Sequence, residues 1–377
     1  MHIAFVDIAY GYTVDRPEAN APLGGTTSAL CFLARALKEA GHSCTIFNKI
    51  EAPGTAFGIE SLPLEALTEA RYNSIYDAFI FCGRWTDWLV QLIAEATSAP
   101  LIAWMHESCF GGDLVPPLPQ FNGIAFVSAW QAGINRPFLL PLQRSAVLRN
   151  AMGPFYATMF PPGTPIVAVK KPEAVYIGAT PRGLLHLPAI WPLIHTSCPE
   201  LTLQIYANPA PSRDTELNTR FAAQLRAMPG VTHVGMAGQP QLAEALRQAS
   251  LYFGPNPYPE TSCIALIESM ASGLCCVTTA RAALPETAHG YATLLSVAAP
   301  DDPQLSTDPF DHNAFAHAAI DIVRDRWESP QKWEQKLRAQ VTYFQTHYLW
   351  RDRVTPWVEF ITSCATKSGA APRPTEK

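Results

Sequence analysis

The sequence predicts an α/β protein made of two doubly wound halves, each a mostly parallel sheet with helices on both faces. Three observations carry that prediction. The chain has 377 residues, more than one hydrophobic core usually organises. Short apolar runs alternate with helical stretches twice over, and a Pro-rich interruption separates the two series. The runs are almost continuously apolar, as expected of strands buried on both faces.

In order, His2 to Ile8 reads as a strand, Thr26 to Ala40 as a helix with Leu30, Leu33, Ala34 and Leu37 on one face, and Cys44 to Asn48 as the next strand. A β-α-β unit of this kind favours a parallel sheet. Further strands are expected at Ala78 to Cys82, Leu101 to His106, Ile124 to Ser128 and Ala146 to Leu148, with a helix at Trp85 to Ala96. The first domain is therefore set at residues 1–155. Residues 156–172 hold Pro161, Pro162, Pro165 and Pro172 and read as a linker.

The second domain, 173–345, repeats the alternation: strands at Ala174 to Ile177, Leu201 to Tyr206, Val231 to Val234 and Leu251 to Phe253, with helices near Leu184 to His195, Glu216 to Ala227 and Gln241 to Gln248. The stretch from roughly Gln331 to Ile361 is helical and aromatic, with Trp333, Tyr343, Phe344, Tyr348, Trp350 and Trp357 suited to packing on a domain surface. Residues 366–377 read as a disordered tail. Two such halves imply a cleft, with ligands at the carboxyl ends of the strands.

Composition narrows the function. A formal net charge of -5 argues against general nucleic-acid binding, which needs a basic face, though a local groove for a modified-DNA acceptor stays open. The nine cysteines are scattered without a C-x-x-C pair, which suggests neither a disulfide framework nor a zinc site and fits a reducing cytoplasm. The start, MHIAFVDIAYGY, lacks the features of a signal peptide, and no apolar run is long enough to span a bilayer. A cytoplasmic protein is expected.

The segment PYPETSCIALIESMASGLCCVTTA, Pro257 to Ala280, concentrates the chemistry. Between Thr261 and Ala280 it carries one charge, Glu268, inside what reads as a buried helix followed by a buried strand. A buried charge persists only with a partner, either a ligand or a neighbouring Arg. With Thr261 or Ser262 capping the helix, Glu260 and Glu268 would stand roughly 12 Å and about 80° apart if wholly helical. That spacing disfavours a hydrolase pair, whose carboxyls lie within about 10 Å. It suits the two ends of one long ligand, and the helix N-terminus between them favours an anion such as phosphate. A sugar joined through a diphosphate to a nucleoside has that layout.

By these residues the segment resembles the retaining glycosyltransferases of family 4, which have the GT-B fold. Their signature is a Glu, seven residues, and a second Glu, followed by small residues and a strand. Here it is E-T-S-C-I-A-L-I-E, then S-M-A-S-G-L-C-C-V. The resemblance implies that Glu260 lies beside the transferred sugar, that Glu268 binds the ribose, and that backbone N–H groups of Thr261, Ser262, Cys263 and Ile264 hold sugar and phosphate. E-T-S-C stands where the family commonly has E-G-F-G. The fold also implies a C-terminal helix, 346–365, that crosses back onto the first domain.

Further segments extend the resemblance. Gly24 and Gly25, with Thr26 able to cap the following helix, match the glycine-rich loop near the donor phosphates. In Y-I-G-A-T-P-R-G-L the family usually has two basic residues; here Ala179 replaces one and Arg182 keeps the other as a bidentate-capable phosphate clamp. His106 ends a strand, where it is either a locally bonded structural residue or a group beside donor sugar and acceptor. Arg84 is placed similarly, as a salt-bridged loop residue or an acceptor-side group. FVSAWQ and VLRNAMGPF match fold markers of the family, and Met236 after VTHVG would lie near the base.

No D-x-D triplet is found in a suitable loop, and Asp301, Asp302, Asp308 and Asp311 read as solvated loop charges, so no metal and no cofactor is expected. The expected reaction is metal-independent, retaining transfer from a nucleotide-diphosphate sugar, with UDP or GDP as the nucleotide and the acceptor unidentified. Alternatives are an epimerase of the same fold, a noncatalytic nucleotide-sugar-binding subunit and a nucleic-acid-modifying transferase.

Overall fold

The computed structural model describes residues 1–19, 21–69, 75–108, 119–208, 215–297 and 310–365, and the chain divides into two units. The first holds Met1–Arg16, Thr26–Arg149 and the chain from Trp350 on; the second holds Pro17–Gly25 and Asn150–Leu349. The stretch expected as a disordered tail lies outside the described residues.

The first unit contains β1 (His2–Val6), α1 (Gly25–Glu39, in this unit from Thr26), β2 (Ser43–Asn48), β3 (Gly54–Ala56), β4 (Ile59–Pro63), β5 (Ala78–Cys82), α2 (Asp87–Ala96), β6 (Leu101–Met105), β7 (Gly123–Phe126), α3 (Ala129–Asn135) and β8 (Arg144–Val147). Its sheet runs β3-β4-β2-β1-β5-β6-β7-β8, parallel throughout except for the β3–β4 hairpin. The order reverses direction between β1 and β5, so a crevice opens outside their carboxyl ends. Strand residues such as Phe79, Ile80 and Phe81 are fully buried, which is why the runs are apolar without alternation.

The second unit contains β9 (Glu173–Ile177), α4 (Leu187–Ser197), β10 (Thr202–Tyr206), α5 (Thr215–Ala227), β11 (Val231–His233), α6 (Gln239–Gln248), β12 (Leu251–Gly254), α7 (Ile264–Ala271), β13 (Cys275–Thr279), α8 (Leu284–Ala288), β14 (Thr293–Leu295), α9 (His312–Glu328) and α10 (Pro330–His347). The sheet order is β11-β10-β9-β12-β13-β14, all parallel. Its switch point lies between β9 and β12. Alternate residues feed two cores: Ala174, Tyr176, Leu203, Ile205, Leu251 and Phe253 pack on one face, Val175, Tyr206 and Tyr252 on the other with Leu266, Ile267 and Met270 of α7.

Two expectations about boundaries are corrected. Residues 156–172 are folded into the second unit rather than joining the halves: Tyr156, Phe160 and Ile166 are buried, and the Ile166 and Val167 N–H groups donate to the Glu334 carboxylate at 2.8–3.0 Å. Proline there shapes an irregular path that still buries its apolar residues. The helical, aromatic stretch consists of two helices, and the boundary of the second differs from expectation. α10 stays in the second unit, where Trp333, Leu337, Val341 and Phe344 are buried and Gln340 donates to the Met270 and Leu274 carbonyls. After a short 3-10 turn at Trp350–Arg353, α11 (Val354–Ala365) packs on β7 and β8 of the first unit, so the crossing helix starts at 354, not 346. Gly123 makes room for it, since a Cβ there would stand 2.5 Å from the Cys364 Sγ. Trp357 also packs edge-on against Trp104, with ring centroids 5.0 Å apart.

Candidate active site

The loops that follow β9 and β12 meet at the switch point of the second sheet. Gly183 makes this possible. Its φ is +107°, and a Cβ there would lie 2.1 Å from the Pro255 carbonyl oxygen, so only glycine lets the two loops approach. The approach sets Arg182 beside Glu260, with Nε 2.6 Å from Oε1. Asn256, buried after β12, donates from Nδ2 to the same oxygen at 3.2 Å, and the Tyr258 ring lies 5.3 Å from the guanidinium carbon. Glu260 is the chief reason the Arg182 pKa is raised, so the guanidinium is firmly charged. The side chain of Glu260 is 7% exposed and that of Arg182 is 42% exposed. One partner is enclosed and the other faces outward.

The residues after Glu260 differ from expectation. α7 starts at Ile264, and Cys263 occupies the cap position without a side-chain capping bond, so neither Thr261 nor Ser262 caps it. The Cys263 thiol instead packs in the core 3.8 Å from the Tyr252 hydroxyl, and burial pushes its pKa up to about 12. The four residues from Glu260 to Cys263 are therefore an irregular approach to the helix. The separation expected for Glu260 and Glu268 on one continuous helix does not apply. Gly25 also belongs here: a Cβ on it would be 3.5 Å from the Ile264 Cδ1.

Glu268, one turn into α7, is 2% exposed. It bonds to neutral donors: the Gly153 N–H reaches Oε1 at 3.3 Å, and Gln239 Nε2 reaches Oε2 at 3.5 Å. Burial pushes its pKa up to about 7, and the bonds from Gly153, Gln239 and Tyr156 oppose that rise without cancelling it. Arg182, the cation at this switch point, pairs with Glu260 instead. Met236, after β11, is 56% exposed and stands beyond an edge strand, beside Gly235 with φ +89°.

In the first unit, the carboxyl ends of β1, β5 and β6 carry the remaining candidates. α1 already includes Gly25, so Thr26 sits inside the first turn and is not the cap. Thr27 donates instead to buried Asp7, whose carboxylate also accepts from the Ala9 N–H and the Tyr12 hydroxyl. Gly24 is at the loop end, in the 17–25 segment. His106 follows β6 with its ring 4.8 Å from that of Trp104, and burial lowers its pKa to about 3, leaving a neutral imidazole. Arg84 is mostly exposed and paired with Glu107 at 3.2 Å, as its salt-bridge reading anticipated.

The V-S-x-x-Q stretch acquires a physical role. Ser128 caps α3 by accepting from the Gln131 N–H, and the buried Gln131 amide donates to the Met105 and Glu107 carbonyls at 3.2 and 2.6 Å. Those two carbonyls flank His106, so the motif pins the strand end that presents it. Sequence reading missed Asn256, Gly183, Gln239, Tyr156 and Asp7. Asn256, a lone amide between Pro255 and Pro257, and Gly183, just after Arg182, were visible signals; the others act through contacts distant in sequence.

Comparison with known proteins adds an independent line. The profile of the family described as Glycosyl transferases group 1 matches residues 171–325, which contain Arg182, Glu260 and Glu268. By sequence, no curated protein matches the chain. Among solved structures, sucrose-phosphate synthase from Thermosynechococcus elongatus superposes with a TM-score of 0.71 at 17% identity, covering 96% of this chain and 98% of that one. A glycosyltransferase from Rickettsia africae gives 0.68 at 12% identity, covering 97% and 99%. The Anabaena protein HepE, solved with UDP-glucose, gives 0.64 at 13% identity, covering 96% and 100%. The fold is GT-B. In this GT-B protein the profile match lies within the unit whose switch point holds the Arg182–Glu260 pair. Among the described residues, no helix is long and apolar enough to cross a membrane, and no three His, Cys, Asp or Glu side chains are grouped so as to hold a metal ion.

Proposed function

We propose that this chain transfers a sugar from a nucleotide-diphosphate sugar, with UDP favoured as the nucleotide, to an acceptor, with retention at the anomeric carbon and without a metal. The observation that carries the reading is the Arg182–Glu260 pair at the switch point of a parallel sheet, inside the segment that matches the glycosyltransferase profile. The structural neighbour solved with UDP-glucose supports the choice of nucleotide.

In this reading Glu260 orients the sugar and favours the cationic transition state. Arg182 uses Nε to hold Glu260 and turns its terminal amino groups to the diphosphate. The N–H groups of Thr261 to Ile264 and the dipole of α7 stabilise the same charge as it leaves, in the role a metal ion would otherwise take. Gly24 and Gly25 leave space for the phosphates, Glu268 accepts the ribose hydroxyls, and Met236 lies on the base side. The bond between the anomeric carbon and the phosphate oxygen breaks, and an acceptor oxygen bonds to that carbon from the same face. The acceptor proton passes to the departing diphosphate. His106, as a neutral imidazole, and Arg84 are assigned to the acceptor side.

A thermal-shift panel of UDP, GDP, ADP and TDP sugars tests the donor assignment; stabilisation is expected to be largest with a UDP sugar, and no stabilisation by any nucleotide sugar would overturn it. Glu260→Ala is expected to remove donor turnover, whereas undiminished turnover in both Glu260→Ala and Glu268→Ala would overturn the site. EDTA is expected to leave the rate unchanged, and inhibition reversed by Mg²⁺ would overturn the metal claim. A noncatalytic binding subunit is the second reading, favoured by Ala179 and by the pairing of the Arg182 charge with Glu260. Tight donor binding without turnover across an acceptor panel would select it.

A further inference from the structure

We infer that Tyr156 and Gln239 form a relay that orients Glu268 and favours its ionised form for nucleotide recognition; the inference rests on the donor-binding reading above. The direction of the hydrogen bonds carries it. The Tyr156 hydroxyl donates to Gln239 Oε1 at 3.0 Å, which turns the other end of the amide, Nε2, toward Glu268 Oε2 at 3.5 Å. With the amide reversed, its carbonyl oxygen would face a carboxylate oxygen. That arrangement is relieved only by a proton on Glu268. Tyr156 therefore helps to set, through Gln239, whether the acid meets a donor or an acceptor, and its hydroxyl also interacts with the carboxylate itself.

Burial gives the choice consequences. Tyr156 is 0% exposed and Glu268 is 2% exposed, so water is a poor substitute for a lost bond at either end. The backbone N–H of Gly153 at 3.3 Å and the Tyr156 hydroxyl are further donors that hold the carboxylate in place. Gln239 opens α6, immediately after the Gly235–Gly238 loop that carries Met236. The relay thus links the loop assigned to the base with the acid assigned to the ribose. An ionised carboxylate accepts from both hydroxyls of a ribose diol, whereas its protonated form has one oxygen committed as a donor. Tyr156 and Gln239 are positioning residues, since both act through Glu268.

The test measures UDP affinity calorimetrically across the neutral pH range for the wild type, Tyr156→Phe, Gln239→Leu and the double variant. Affinity is expected to rise with pH as Glu268 ionises. Each single variant should move that midpoint upward by about one pH unit and weaken UDP binding at neutral pH by up to about tenfold. The double variant should lose less than the sum of the two single losses, because part of the Tyr156 effect passes through the amide. In turnover with a UDP sugar, the loss should fall on KM more than on kcat. The pH dependence of thermal stability without nucleotide reports the same midpoint and should shift in the same direction. Unshifted midpoints in both measurements, or additive losses in the double variant, overturn the relay. A shifted stability midpoint in protein that never binds UDP supports the relay and overturns the donor reading. Tyr156→Phe removes a single oxygen, which guards against a Gln239→Leu protein that fails to fold.

Discussion

Glu260 and Glu268 are eight residues apart and both buried, yet the protein treats them in opposite ways. Glu260 sits on a loop, enclosed but matched with the guanidinium of Arg182 and the amide of Asn256. Glu268 sits on an apolar helix among neutral donors, and its pKa is pushed up to about 7. A cation stands against the carboxylate at the first position. At the second, charge is left to a balance between burial and a few hydrogen bonds, so it responds to small changes in the surroundings. The pair teaches that a motif of two acids can set one against a cation and leave the other, with an adjustable charge, among neutral donors.

The largest expected effect is at the ion-paired acid. Glu260→Gln keeps the shape and removes the charge, and donor turnover should fall by about 100- to 1,000-fold, the range typical of losing one preorganised electrostatic group. Arg182→Ala should cost less, and the double variant should be little worse than Glu260→Gln, because the two groups act as a unit. Single-turnover measurements of donor consumption separate these outcomes. Fully additive losses would mean that the ion pair is incidental to the reaction.

Much of the architecture is legible in the sequence because strands buried on both faces are written as uninterrupted apolar runs, as at Ala78–Cys82 and Leu101–Met105. The β3–β4 hairpin escapes notice for a local reason. Its two-residue turn is Phe57-Gly58 with both φ positive, +49° and +68°, a conformation ordinarily announced by Asn or Asp rather than Phe. The Pro-rich 156–172 stretch misleads because proline marks irregular backbone, which can be buried as well as linking. Glu268 stands out as one charge in an apolar segment, and its burial agrees. The identity of its neighbours is not legible, since Gly153 is 115 residues away. The same holds for the meeting of Arg182 with Glu260, which depends on Gly183 and on strands β9 and β12 lying side by side.

The adjustable charge makes a prediction about stability that has an unusual sign for an acid. The folded-state pKa of Glu268, about 7, lies above the ordinary glutamate value of about 4.5 expected in an unfolded chain. The folded state therefore holds a proton that the unfolded state releases, so the contribution is fully present below the unfolded pKa and lost as pH rises through the folded one. The span corresponds to roughly 3 kcal/mol at most. Glu268→Gln, which resembles the protonated acid, should remove that loss. Its stability relative to the wild type should thus increase between acidic and mildly alkaline pH, as read by denaturant unfolding at several pH values. An unchanged difference across that range would place the Glu268 pKa back among ordinary carboxylates and dissolve the contrast with Glu260.

The smallest expected effect concerns the first unit and asks whether a second adjustable charge exists there. His106 is a natural suspect for any pH dependence near neutrality, but burial lowers its pKa to about 3. It stays neutral wherever the protein would be assayed. A group so weakly basic contributes less as a proton acceptor than the usual 100-fold or more of a tuned catalytic base, so His106→Asn should reduce turnover by about tenfold or less. Its pH–rate profile should keep the wild-type shape, because the limb near neutrality belongs to Glu268, and that limb should vanish in Glu268→Gln. The converse result, a limb lost in His106→Asn and kept in Glu268→Gln, would move the titrating group to the strand end that Gln131 holds in place. A neutral His106 can still orient an acceptor hydroxyl as a hydrogen-bond partner, a role that depends on ring position and so on the two carbonyl bonds made by Gln131.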